Sequence, residues 1–182
     1  MCCGYNWWMK TIRLLPVLCL IVLPLLACTP ADKWATHAVE DAGFPPYTFE
    51  YPASWALEAG NNFTSLVSQK KLLNDPPEKM EPGQVIVGLT LNINMPPEEM
   101  VQYRIDSLQG FITFEEVTSL ELNGRPAALA VGIQPDTQDQ TFLLAVDLGQ
   151  NNRAVLSARL AEGELETWRE TLYHIVNSIT FK

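Results

Sequence analysis

Two stretches of this chain, residues 127–133 and 141–148, are apolar or small at nearly every position. In the first, Ala127, Leu129, Val131 and Ile133 would face one way and Ala128, Ala130 and Gly132 the other. A half-exposed antiparallel strand alternates apolar with polar residues, so strands of this kind have to be covered on both faces. The covers on offer are two helical segments and the N-terminal part of the chain. The expected fold is therefore α+β, an antiparallel β-sheet covered by helices on both faces as a three-layer α/β/α sandwich.

The rest of the pattern supplies the partners. Tyr47 to Tyr51 alternates large apolar with polar residues, Pro52 turns the chain, and Trp55-Ala56-Leu57 starts again. Phe63 to Gln69 is a weaker strand, and Leu72 to Gly83, with three prolines, is a loop. A long strand then puts Val85, Val87, Leu89, Leu91 and Ile93 on one face and Ile86, Gly88, Thr90 and Asn92 on the other. Pro96-Pro97-Glu98-Glu99 opens a helix: proline is tolerated where backbone donors are unpaired anyway, and acids suit the positive end of the dipole. Its apolar side is Val101, Ile105 and Leu108, and Gly110 closes it. Asn123-Gly124 between 117–122 and 127–133 is a tight-hairpin signal. A longer turn, Gly149 to Asn152, joins 141–148 to 154–160. Leu165, Trp168, Leu172, Ile175, Val176 and Ile179 recur at helical spacing and close the chain as a helix.

The first residues read as an address rather than as fold. Lys10 and Arg13 precede a run from Leu14 to Ala27 that is almost wholly apolar. It is shorter than the about 20 residues a spanning helix needs, and so it reads as the core of a signal peptide. Met9 would serve as a natural start, with Met1 to Trp8 upstream of it. The run ends in Leu25-Leu26-Ala27-Cys28, which resembles a bacterial lipoprotein lipobox. Leu25 and Ala27 fit its pattern, and Leu26 is bulkier than usual at its position. The resemblance implies cleavage between Ala27 and Cys28, a diacylglyceryl group on the Cys28 thiol, and a location at the cell membrane or outer membrane, facing away from the cytoplasm. Two or more acyl chains give stable anchoring where one does not. The expected divisions are a signal peptide over 1–27, a lipidated Cys and tether over 28–46, and a globular domain over 47–182. A short helix around Ala35 to Val39 is the alternative for part of the tether.

With 182 residues, 47% of them hydrophobic, the chain can bury a core. Its formal net charge of −9 and the want of a basic stripe exclude nucleic acid as a partner. Losing Lys10 and Arg13 makes the mature chain more acidic still, so attachment to anionic lipid would rest on acyl chains rather than on charge. All four cysteines, Cys2, Cys3, Cys19 and Cys28, lie at or before the cleavage point. The folded part then has neither a disulfide nor a thiolate site.

Two segments carry a second resemblance: Tyr47-x-Phe49-x-Tyr51-Pro52-x-x-Trp55, and Ile175-Val176-x-Ser178-Ile179-Thr180-Phe181. They look like the two ends of PsbP-like domains, a fold shared with the Ran-binding Mog-type proteins and carried by many extracytoplasmic bacterial lipoproteins. The resemblance covers about residues 44 to 182 and implies an antiparallel sheet sandwiched by helices. Its motifs are packing motifs and imply no activity.

The search for chemistry leaves little. Of the two histidines, His37 lies in the expected tether. His174 has Glu170 and Ser178 one turn either side, but on a helical wheel it points about 150° from the apolar stripe, where no pocket is expected. Asp136, Gln138, Asp139 and Gln140 form a polar loop that lacks the regular spacing of a calcium loop and reads as a solvated turn. Glu98-Glu99 and Glu115-Glu116 are adjacent, so the members of each pair point apart. The aromatics Tyr47, Phe49, Tyr51 and Trp55 read as core. No catalytic residue, cofactor or metal site is expected. The expectation is a non-enzymatic, lipid-anchored extracytoplasmic protein that binds a protein partner or supports an envelope complex. The alternative is a module for a small ligand or a divalent cation of the calcium type.

Overall fold

Residues 34–40, 45–60, 63–92 and 95–182 are described by the computed structural model. Ala27 and Cys28, with the rest of the leader, lie outside them, as does Ile93.

Three strands form a small antiparallel sheet: β1 (Trp34–Val39), β2 (Tyr47–Pro52) and the closing β11 (Thr180–Phe181), with β2 in the middle. Strand β1 is a correction. Residues 34–39 were expected within a tether, or as a short helix, yet they pair with β2 along its length, from Trp34 opposite Pro52 to Val39 opposite Tyr47. The alternate residues of β1 are only exposed or half-buried, which leaves little apolar pattern to read.

The second sheet has eight strands, in the order β3 (Ala56–Ala59), β4 (Thr64–Val67), β5 (Val85–Asn92), β10 (Asn152–Leu160), β9 (Gln140–Gly149), β8 (Arg125–Ile133), β6 (Thr113–Phe114), with β7 (Thr118–Leu122) also on β8. Every pairing is antiparallel. The β7–β8 hairpin turns at Asn123 and Gly124, with φ of 52° and 77°. A tight hairpin turn that matches the strand twist requires positive φ at both central residues, which is why this dipeptide sits there. Helix α1 spans Pro97–Ser107 and α2 spans Leu165–Asn177.

The central strands are buried on both faces, as their composition demands. Phe142, Leu143, Leu144, Ala145 and Val146 of β9 are all fully buried. Alternate residues join different clusters. Phe142, Leu144 and Val146 pack with Leu172, Ile175 and Val176 of α2 and with Tyr47 and Phe49 of the small sheet. Leu143 and Ala145, with Ala128 and Ala130 of β8, pack with Met100 and Val101 of α1. The small side chains on that second set let α1 lie close against β8 and β9. Ile133, at the end of β8, is the one member of its expected face left exposed.

Burial also marks the Tyr47 hydroxyl. Loss of hydration raises its pKa above the ordinary tyrosine value of 10.0, and a hydrogen bond with Thr64 acts more weakly in the opposite direction.

Candidate functional site

The structure rearranges the candidates read from sequence. The Glu170, His174 and Ser178 row does not converge. Glu170 is exposed. The His174 Nε2 instead meets Glu50 Oε2 of β2 at 2.8 Å, and the His174 ring stacks on Trp34 of β1 with centroids 3.7 Å apart. The Ser178 hydroxyl donates to the Ile175 carbonyl at 2.8 Å and accepts the Glu50 backbone N–H at 2.8 Å. The polar side of α2 is therefore only partly open to solvent: Glu170 is exposed, while His174 is half-covered. The small sheet leans on it, with clefts of about 330 and 440 Å³ on either side of His174. What a helical wheel omits is a second layer recruited from the start of the chain. His37 is on β1, edge-on to Phe49 with centroids 5.6 Å apart.

The polar loop before β9 is also corrected. Asp139 is fully buried rather than solvated. Its Oδ1 and Oδ2 accept the Met80 N–H at 3.1 and 3.2 Å, and Oδ2 accepts Nε and Nη2 of Arg159 at 2.9 and 2.6 Å. Arg159 goes on to the carbonyls of Pro77 and Glu78. Gln140 Oε1 accepts the Leu165 N–H at the start of α2, at 3.2 Å. These groups pin the proline-rich loop and a helix end to the sheet. Both oxygens are engaged by protein donors, so the carboxylate charge is spent on Arg159 and Met80. Among the described residues, no three His, Cys, Asp or Glu side chains gather as a metal site would need.

The feature missed from sequence is a groove beside α1. Unlike β8 and β9, β5 presents half-buried Ile86, Gly88 and Thr90 on its second face. There α1 meets the sheet at its border, leaving a cavity of about 530 Å³ lined by Phe63, Thr90, Leu91, Met95, Met100, Tyr103, Arg104 and Val155. Tyr103 is 60% exposed and Phe63 51%. Two large aromatic surfaces thus flank an apolar floor, at a volume within the usual range for small-molecule sites. Arg104 reaches the Thr90 hydroxyl at 3.4 Å from Nη2. The available signal was the polar alternation of β5, which shows that the helix cover is incomplete there.

Antiparallel sheets with two helices make a mixed α+β class, and the fold is PsbP-like. The chain is similar to the solution structure of cyanobacterial PsbP (CyanoP) from Synechocystis sp. PCC 6803, with a TM-score of 0.53 and 10% identity, over 87% of this chain and 99% of that one. It is also similar to the crystal structure of LpqN, involved in cell envelope biogenesis of Mycobacterium tuberculosis, with a TM-score of 0.49 and 17% identity, over 83% of this chain and 92% of that one. No family model and no curated protein sequence matches the chain. Among the described residues, no helix is long and apolar enough to cross a membrane.

Proposed function

We propose that this chain is a non-enzymatic, lipid-anchored extracytoplasmic protein whose PsbP-like domain works by binding. The observation that carries the anchor is the segment Lys10 to Cys28: basic residues, a short apolar run, then Leu25-Leu26-Ala27-Cys28. Cleavage after Ala27 and acylation of Cys28 would place the domain outside the cytoplasm, held by hydrocarbon rather than by its acidic surface. With β1 starting at Trp34, the tether in this proposal is the stretch between Cys28 and that strand.

The layer order of helix, sheet and helix belongs to the same proposal. Its support is the division of β8 and β9 between a cluster with α1 and a cluster with α2. Binding is favoured over catalysis because His174 and Ser178 are each engaged with the small sheet or the helix backbone rather than with each other. A small ligand is favoured over a cation by the groove beside α1 and by the engaged oxygens of Asp139.

Mass analysis of the N-terminus of protein recovered from membranes tests the anchor. The expected result is an acylated Cys28 in the native chain and an unprocessed precursor for Cys28→Ala. A native N-terminus without fatty chains overturns it. Recovery of a stoichiometric protein partner from detergent-solubilised membranes would instead favour an envelope-complex role.

A further inference from the structure

We propose that the groove beside α1 binds an anionic amphiphile of the fatty-acid class, its hydrocarbon chain along the apolar floor and its carboxylate on Arg104. This deepens the binding role proposed above and rests on it, but it does not depend on the state of Cys28.

Charge complementarity identifies the occupant. The chain is acidic overall, with 21 Asp and Glu against 12 Lys and Arg. Arg153, Arg159 and Arg169 each hold a carboxylate, of Asp147, Asp139 and Glu166. Arg104 holds none among the described residues, and its one protein partner there is the Thr90 hydroxyl at a long 3.4 Å. A guanidinium carries five donors in a planar fork that suits a carboxylate, so most of its capacity is unspent. It borders a cavity whose other walls are Met95, Met100, Val155, Phe63 and Tyr103. One cation beside a thioether-rich and aromatic surface fits a ligand with a single negative head and a long apolar body. Methionine supplies adaptable packing for a chain of variable shape. A peptide partner would call for several spaced polar contacts along the groove, and its polar lining side chains are Arg104, Thr90 and the Tyr103 hydroxyl, which leaves Leu91, Met95, Met100 and Val155 for hydrocarbon.

Gly60 gives an independent handle on the far wall. Its N–H bonds the Phe63 carbonyl at 2.8 Å, and a Cβ on Gly60 would come within 2.6 Å of the Phe63 ring. Gly60→Ala therefore displaces that ring without touching Arg104.

The test uses the full chain in lipid nanodiscs and a long-chain fatty acid carrying a diazirine, compared with the alcohol of the same chain. After irradiation, the labelled residues are located by mass spectrometry. The expected result is labelling by the acid at Met95, Met100, Tyr103 or Phe63, and about tenfold less by the alcohol, as loss of one charge-assisted hydrogen bond implies. Arg104→Glu should abolish labelling by the acid and leave the weak labelling by the alcohol, and Gly60→Ala should shift the acid's label away from Phe63. Thermal melting confirms that both variants are folded. Equal labelling by acid and alcohol, label outside the groove, or full labelling of folded Arg104→Glu would overturn the proposal. Labelling of a chain that carries no acyl group on Cys28 would support the groove and overturn only the anchor.

Discussion

Arg159 of β10 and Asp139, in the loop just before β9, form an ion pair in which the carboxylate side chain is 1% exposed and the guanidinium 28%. The same carboxylate takes the N–H of Met80, so one buried charge ties β10 and the loop before β9 to the loop before β5. Removing the carboxylate leaves the buried Met80 N–H and a largely covered guanidinium without their acceptor. Asp139→Ala should lower stability by about 3–5 kcal/mol in urea unfolding. A loss of about 1 kcal/mol or less, the scale of an exposed pair, would mean that the loop is held by something else.

The face of the large sheet beneath α1 is rich in alanine, with Leu143 and Val155 among them. Ala128, Ala130 and Ala145 are fully buried there, next to Met100 and Val101. Ala130→Leu adds volume where the helix already lies close, and overpacking of this kind costs about 1–3 kcal/mol. The same change should lift α1 and alter the groove, since Met100, Tyr103 and Arg104 line it from the helix. Chemical denaturation checks the first effect and amide hydrogen exchange along 97–107 the second. A variant as stable as the native chain, with unchanged exchange, would show that the helix does not pack as described.

Tyr47 should make folding sensitive to alkali. Burial raises its pKa above the ordinary value of 10.0, so the folded state keeps the proton more tightly than the unfolded state does. Its contribution is fully present below pH 10 and fades as pH rises through the folded-state pKa. Unfolding free energies measured from about pH 8 to about pH 11 should fall more steeply for the native chain than for Tyr47→Phe. Parallel curves would mean that the phenol is hydrated.

Much of the large sheet was legible because its signals are local. The double-sided apolar runs became β8 and β9, the Asn123-Gly124 turn sits between β7 and β8, and Pro97 opens α1. The misses have a common cause, partners that the residues' own local pattern does not show. Strand β1 looked like a tether because the β2 edge it pairs with is not visible in its own pattern. Asp139 looked like a solvated turn residue because Met80, its backbone donor, lies 59 positions away. The partners of His174 were not visible because Glu50 and Trp34 come from the small sheet.

Hydrophobic periodicity and turn chemistry, which act over a few residues, were enough to set the antiparallel sheet, the two helices and the acidic surface. The leader likewise speaks through composition alone. Where helix cover ends at β5, that Arg104 there holds no carboxylate among the described residues, and which carboxylate is buried depend on how separate elements meet. Burial and Coulomb interactions act through space, so these features took form only once the chain had folded.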